Sequence, residues 1–267
     1  MEPALIEFEH VSVARGENVA LHDITLKIGA GEHIAILGPN GCGKSTLIKA
    51  ITRECYPLQR DETVLRILGQ DTWHIVELRK MLGIVTNDLG QACARDATGM
   101  DIALSGFFSS IGIWPHHEVT DEMHQRAKEA LDLMEVPHLA DRWTDEMSSG
   151  EARRVLIARA LVHQPRTLIL DEHSTALDLF AQHELRAILS KLAKSGIGIV
   201  MVTHHLSDLI PEIERAILMK SGRIVADGHT NDVSDCAYSG DFLLPLRCTA
   251  SPSLSSVTTS VVMLSSQ

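Results

Sequence analysis

The sequence predicts an α/β domain in which a mostly parallel central sheet carries an antiparallel β layer at its N-terminal side and an inserted helical lobe. Three observations predict it. First, the apolar, β-branched run 32–37 leads into Gly38-Pro39-Asn40-Gly41-Cys42-Gly43-Lys44-Ser45-Thr46 and then into the amphipathic stretch 47–51, which is a strand, a glycine-rich loop and a helix in series. Second, the buried-strand runs 167–170 and 199–202 flank a segment with Leu185, Ile188, Leu189 and Leu192 on one helical face, the strand and helix alternation of a parallel sheet. Third, the region before residue 32 alternates as antiparallel strands do, whereas 99–147 keeps helical periodicity with no strand-like run.

Taken in order, residues 5–13 and 21–28 alternate apolar and polar side chains, with turn signals at Arg15-Gly16-Glu17-Asn18 and Gly29-Ala30-Gly31. After the first helix, 63–68 and 82–86 read as short strands around a helix over 75–81. The lobe is expected over about 88–150, with Ala127, Ala130, Leu131 and Met134 sharing one face. A helix over 151–163 stops at Gln164-Pro165, since the residue before proline is pushed out of the helical region. The helix after Asp178 is closed by Gly196-Ile197-Gly198, and Ser221-Gly222 turns a hairpin between 216–220 and 223–226. One domain over 1–248 is expected. In the remaining stretch, 249–267, ten of 19 residues are Ser or Thr and none is charged, so this tail is expected to pack against nothing.

Composition narrows the function. The 267 residues suffice for a full core. With 24 basic against 35 acidic residues the formal charge is -11, opposite to the basic footprint of nucleic-acid binders, so neither DNA nor RNA is expected as a ligand. No apolar run approaches the ~20 residues of a membrane span and no leader precedes the domain, which points to a cytoplasmic chain. The five cysteines are scattered without a CxxC pair, and the histidine pairs His116-His117 and His204-His205 lack metal spacing, so neither a disulfide framework nor a zinc site is expected.

Residues 38–46 fit the phosphate-binding pattern G-x-x-x-x-G-K-[ST] in the strand-to-helix context that the pattern requires. Glycines let the backbone wrap a phosphate so that amides and a helix N-terminus face the charge. Lys44 is placed to reach the β and γ phosphates, Ser45 to put its hydroxyl on Mg²⁺, and Thr46 adds a second hydroxyl. Cys42, between two glycines at a helix start and near Lys44, is expected to be a reactive thiolate. The run Leu168-Ile169-Leu170-Asp171-Glu172 brings two carboxylates to a strand C-terminus, where α/β sheets place ligand sites. Asp171 suits the Mg²⁺ side and Glu172 the polarisation of an attacking water. Thr203-His204, at the end of the next strand, sets an imidazole at the same edge.

Two further segments carry a family resemblance. Met147-Ser148-Ser149-Gly150-Glu151, just before a helix, resembles the signature Leu-Ser-Gly-Gly-Gln, and Thr175-Ala176-Leu177-Asp178 resembles the D-loop of the ATP-binding cassette (ABC) nucleotide-binding domains. The resemblance spans roughly residues 4–232 and implies a P-loop NTPase fold, with ATP and Mg²⁺ as ligands. It also implies two cassettes facing head to tail, either two copies or this chain with a related one, each closing the other's nucleotide. Carried over, Ser148, Ser149, Gly150, Glu151 and Asp178 would contact nucleotide across the pair. Lys44, Glu172 and His204 would serve catalysis; Ser45, Asn87 and Asp171 would serve the metal. The pattern is altered at five places: Ser149 replaces Gly, Glu151 replaces Gln, Asn87 replaces the Q-loop Gln, His173 replaces Pro, and Arg15 stands where an aromatic ring stacks on adenine. The stretch 99–114 is also similar to single-cassette ATPases of molybdenum and iron-complex uptake.

The resemblance implies the energising subunit of a transporter, held at the inner face of the cell membrane by separate transmembrane subunits. The apolar cluster Phe107, Phe108, Ile111, Ile113 and Trp114 in the helical lobe agrees with a surface that receives them, although such a cluster is more often simply core. The alternatives are a soluble ABC ATPase of translation or repair, and a regulator without turnover. The first of these usually has tandem cassettes or a long coiled-coil insertion, features not found in this sequence, and the second is opposed by Glu172 and His204.

Overall fold

The computed structural model describes residues 3–86, 97–110, 112–172, 174 and 177–238. Strands β1 (Ile6–Arg15) and β2 (Asn18–Ile28) pair antiparallel, with Ile6 opposite Ile28 and Arg15 opposite Asn18. They form a layer with β4 (Val64–Ile67) in the order β2-β1-β4. The central sheet runs β5 (Leu82–Val85), β6 (Thr167–Asp171), β7 (Gly198–Thr203), β3 (Ile34–Leu37), β8 (Arg215–Lys220), β9 (Arg223–His229). Its pairs are parallel up to β8, and β9 closes it antiparallel.

The parallel strands are almost continuous apolar runs because both faces are covered. Their period of two sorts side chains into two cores. Ile34, Ile36, Ile169, Val200 and Val202 point toward the antiparallel layer and α1 (Lys44–Ile51), joined there by Phe8, Ile24 and Ile67. Ala35, Leu37, Leu168, Leu170, Ile199 and Met201 point the other way, toward the helices that follow. Arg215 fastens β8 to the antiparallel layer: its Nη1 donates to Lys27 O at 3.0 Å and Glu32 Oε1 at 2.8 Å, while Nε and Nη2 grip Asp227.

Four of the helices start on a side-chain cap. After α2 (Ile75–Met81), the helix α3 (Gly99–Ser105) begins at Thr98 with a reciprocal bond to Asp101, and α4 (Asp121–Leu133) at Thr120, whose hydroxyl accepts from Met123 N. Ser148 caps α5 (Ser149–Leu161), Asp178 caps α6 (Leu179–Lys194), and α7 (Thr230–Tyr238) follows β9. Within the described part of 88–150, α3 and α4 are joined by short 3₁₀ turns, and the sole β contact among the described residues is one bridge from Thr98 to Trp143. Asn87, Ile111, His173, Thr175, Ala176 and the 249–267 tail lie outside the described residues.

Some element bounds differ from the expected ones. The strand before Asp171 and that before His204 extend one residue further than the apolar runs suggest, and Gly198, expected to end a helix, instead opens β7 beside Thr167. The apolar group 107–114 is partly buried: Phe107 and Ile113 are half-buried against the core, Phe108 stacks flat on His117 at 4.1 Å, and Trp114 is 55% exposed.

Candidate nucleotide site

The loop between β3 and α1 is held from both sides. Gly43 sits at φ 109°, in the left-handed region that side chains avoid, and a Cβ there would meet Leu21 Cδ2 at 2.9 Å and Ala20 O at 3.0 Å. The β8–β9 turn docks on the loop through Gly222 N, which donates to Cys42 O at 2.8 Å, while His22 N donates to Gly222 O at 2.8 Å. These bonds bring three distant segments to one cavity of about 620 Å³. Asn40, Gly41, Gly43, Lys44, Ser45, Thr46, Arg15 and Glu172 all line it.

Inside the loop, Lys44 is only 5% exposed, and its Nζ donates to Gly38 O at 2.8 Å and Pro39 O at 3.0 Å. An ammonium has three donors, so one remains for a phosphate oxygen. Pro39, Asn40 and Ser45 are exposed and Thr46 is buried. No side chain caps α1 and no acidic residue stands in its first turn, which leaves the helix N-terminus to an anion. Cys42 corrects the expectation of a reactive thiol: its side chain is 3% exposed and packs with the core under the loop, where a reagent does not reach it.

The sheet edge that carries Glu172 and His204 is made by neighbouring strands. Glu172 follows β6 with φ 47°, a conformation non-glycine residues rarely hold, and its N–H donates to Val202 O of β7 at 2.8 Å. The bond fixes where the carboxylate starts. His204, just beyond β7, brings Nδ1 to 3.6 Å from Glu172 Oε1, too long for a hydrogen bond but within ion-pair reach once the ring is protonated. His205 N donates to Thr203 Oγ1 at 3.1 Å, and Thr203 in turn bonds the buried Asp208, so the turn carrying His204 is braced from behind.

Asp171 ends β6 and Ser45 is the second residue of α1, and both offer the hard oxygens that Mg²⁺ takes. Among the described residues no group of three or more His, Cys, Asp or Glu side chains could hold a metal ion.

Ser148, Ser149, Gly150, Glu151 and Asp178 do not line this cavity. Ser148 and Glu151 instead satisfy each other: Ser148 N and Oγ donate to Glu151 Oε2 at 2.8 and 2.9 Å, and Glu151 N donates to Ser148 Oγ at 3.3 Å. The Ser148 amide holds the Glu151 carboxyl below the usual range, helped by Arg142 and His138 nearby. Asp178 accepts from Ala181 N at 2.8 Å. Arg15, exposed at the end of β1, lines the cavity mouth. Sequence reasoning missed Val19, Ala20, His22, Ser221 and Gly222, which also line it. The turn residues 221–222 were legible as a hairpin, but nothing local tied that hairpin to the loop.

A loop that fits the phosphate-binding pattern on a parallel sheet, with a carboxylate at the end of a strand two places away, is the arrangement of a nucleoside-triphosphate-hydrolysing domain. Its family follows from known proteins. The ABC transporter family model matches residues 21–175. The chain is 31% identical over 246 residues, 91% of this chain and 92% of the other, to the uncharacterized ABC transporter ATP-binding protein YlmA of Bacillus subtilis (strain 168). It is 32% identical over 229 residues, 84% of each chain, to the hemin import ATP-binding protein HmuV of Aliivibrio fischeri (strain ATCC 700601 / ES114). The bacterial ABC transporter cassette MJ0796, solved as a dimer, superposes with a TM-score of 0.68 at 27% identity over 84% of this chain and 98% of that one. The same cassette in a dimeric post-hydrolysis state bound to ADP and Pi gives 0.67 at 27% identity over the same shares. The chain belongs to the ABC transporter family and is an ATP-binding cassette, an ABC-type ATPase.

Proposed function

We propose that this chain is the Mg²⁺-dependent motor subunit of a transporter, binding ATP between two cassettes packed head to tail and passing the closing motion to separate membrane subunits. The observation that carries the reading is the division of labour on the surface. Phosphate loop and Glu172 share one cavity, while the signature Ser148–Glu151 lies outside it, so a second cassette is needed to bring a signature to the nucleotide. That cassette is a second copy or a related chain.

In this reading Lys44 and the α1 amides grip the β and γ phosphates, and Ser45 and Asp171 would hold a Mg²⁺ ion, which would supply charge neutralisation there. Glu172 accepts a hydrogen bond from the attacking water and orients it in line with the γ phosphorus. His204 faces the same oxygens as charge develops, and catalysis is mainly positioning and charge stabilisation. Asn87, as the Q-loop residue, is proposed to join the metal's water shell.

The membrane partner is proposed to dock in a groove of about 270 Å³ between β5 and the helical lobe, lined by Arg79, Leu82, Thr86, Ser110, Arg159 and His163. Burial pushes the His163 imidazole below its usual pKa, so that ring is neutral at neutral pH beside the charged Arg79 and Arg159. Among the described residues no helix is long and apolar enough to cross a membrane. Import is the direction proposed, by extension from the hemin importer HmuV, with the chain on the cytoplasmic side of the membrane.

Glu172→Gln tests the catalytic reading. ATP affinity should stay within about twofold while turnover falls by about 10² to 10⁴, the usual weight of a general base. Near-normal hydrolysis in the variant would remove Glu172 from the mechanism.

A further inference from the structure

The start of α6 carries a feature that nucleotide chemistry does not use. Leu179 is 84% exposed and Phe180 71%, and among the described residues they are the one adjacent pair of exposed large apolar side chains. A first helical turn normally favours polar or acidic residues. Single exposed hydrophobics need no explanation, but an adjoining Leu and Phe present a continuous apolar surface.

Its surroundings say what covers it. On one side, Ala181 approaches the signature helix so closely that a Cβ on Gly150 would meet Ala181 Cβ at 2.8 Å, and Arg154 Nη2 lies 3.7 Å from Glu184 Oε2 one turn further on. On the other side the chain runs back through buried Leu177 and Ser174, where Leu177 N donates to Ser174 O at 3.2 Å, to Glu172 in the nucleotide cavity. Leu179 and Phe180 therefore lie on the strip between the two half-sites of one protomer. In a two-fold pair that joins each half-site to the other protomer's complement, the strip between them faces the dyad and meets its own copy.

We propose that Leu179 and Phe180 pack against Leu179 and Phe180 of a second copy of this chain when nucleotide closes the pair, forming an apolar contact at the two-fold axis. This rests on the head-to-tail reading above. The contact adds binding that is independent of the phosphates, and it favours pairing of identical chains, because a partner with polar residues there would leave the Leu and Phe facing unmatched groups.

Sedimentation of Glu172→Gln with and without Mg-ATP, against the same protein carrying Leu179→Ser and Phe180→Ser, separates the two readings. The serine variant should bind ATP as a monomer with unchanged affinity but dimerise at least about tenfold more weakly, about 1.4 kcal/mol. If Glu172→Gln stays monomeric in ATP, the head-to-tail reading fails, and this contact with it. If Glu172→Gln dimerises and the serine variant dimerises equally well, the apolar contact alone is overturned. A second probe leaves Leu179 in place: Phe180→Cys in the Glu172→Gln background, oxidised with copper phenanthroline, should give a self-crosslinked dimer with ATP and none without it, judged against the same protein lacking that cysteine. An ATP dimer that fails to crosslink would also overturn the proposal.

Discussion

Two helix N-termini in this molecule meet phosphate chemistry in opposite ways. At α1 the first turn has no side-chain cap and no acid; a left-handed Gly43 leads into it and Lys44 stands over it. At α5 the first turn is already satisfied by its own residues, with Ser148 and Glu151 exchanging bonds and a carboxylate in place. Under the proposed head-to-tail pairing, the difference separates the half-site that grips from the one that completes. An uncapped end keeps amides and positive potential for a ligand, whereas a capped, acid-bearing end offers a phosphate little until a partner's nucleotide is brought to it.

The largest expected break in this comparison is Lys44→Ala. Loss of a charge-assisted contact worth about 2–3 kcal/mol should weaken ATP binding about 100-fold, measured by titration of the monomer. An unchanged affinity would mean that the loop does not hold the phosphates.

Gly150→Val should do the reverse. The added side chain collides with Ala181, costing about 1–3 kcal/mol of stability as overpacked sites do. Monomer ATP affinity should stay within about twofold, and ATP-dependent dimerisation and turnover should fall together. A loss of ATP affinity in the folded monomer would show that the two half-sites are not separable.

A smaller effect belongs to the cavity mouth. Arg15 is exposed, so a guanidinium stacked on the base contributes about 0.5–1 kcal/mol. Arg15→Ala should therefore weaken ATP and GTP alike by about two- to fivefold, and Arg15→Tyr should restore ATP binding. Competition titrations giving the parent a hundredfold preference for ATP would exclude this role.

The smallest expected effect is at Glu151. The folded state lowers its pKa, so the unfolded chain binds the proton more tightly. Its stabilisation is complete above the ordinary glutamate value of about 4.3 and is lost as pH falls through the lower folded value. Glu151→Gln retains an acceptor for the Ser148 amide but removes the charge. Melting temperatures across pH should show the parent's advantage at neutral pH disappearing below about pH 4, and an advantage independent of pH would contradict it. The same substitution should sharpen the comparison by tightening ATP-dependent dimerisation slightly, since a carboxylate beside an incoming phosphate is repulsive.

What the sequence determined by itself is whatever contiguous residues encode. Residues 32–51 specify strand, loop and helix because the hydrophobic period, the glycines and the lysine all lie within one short stretch. The capping pair Ser148 and Glu151 is equally local, three positions apart on one turn. The alternation of β6, α6 and β7 follows from apolar runs long enough to settle their own type. What only the tertiary structure decided depends on segments that meet from far along the chain. Ser221 and Gly222 reach the cavity because β8 pairs with β3 and the following turn bonds Cys42 and His22. Cys42 lost its expected reactivity because the core beneath the loop buries its side chain, which its neighbours in sequence do not reveal. The 3.6 Å approach of His204 to Glu172 likewise exists only because β6 and β7 are parallel neighbours with Asp171 opposite Val202. Strand order and register are set by long-range hydrogen bonding and by the shared filling of two cores, and neither is written in any one stretch of residues.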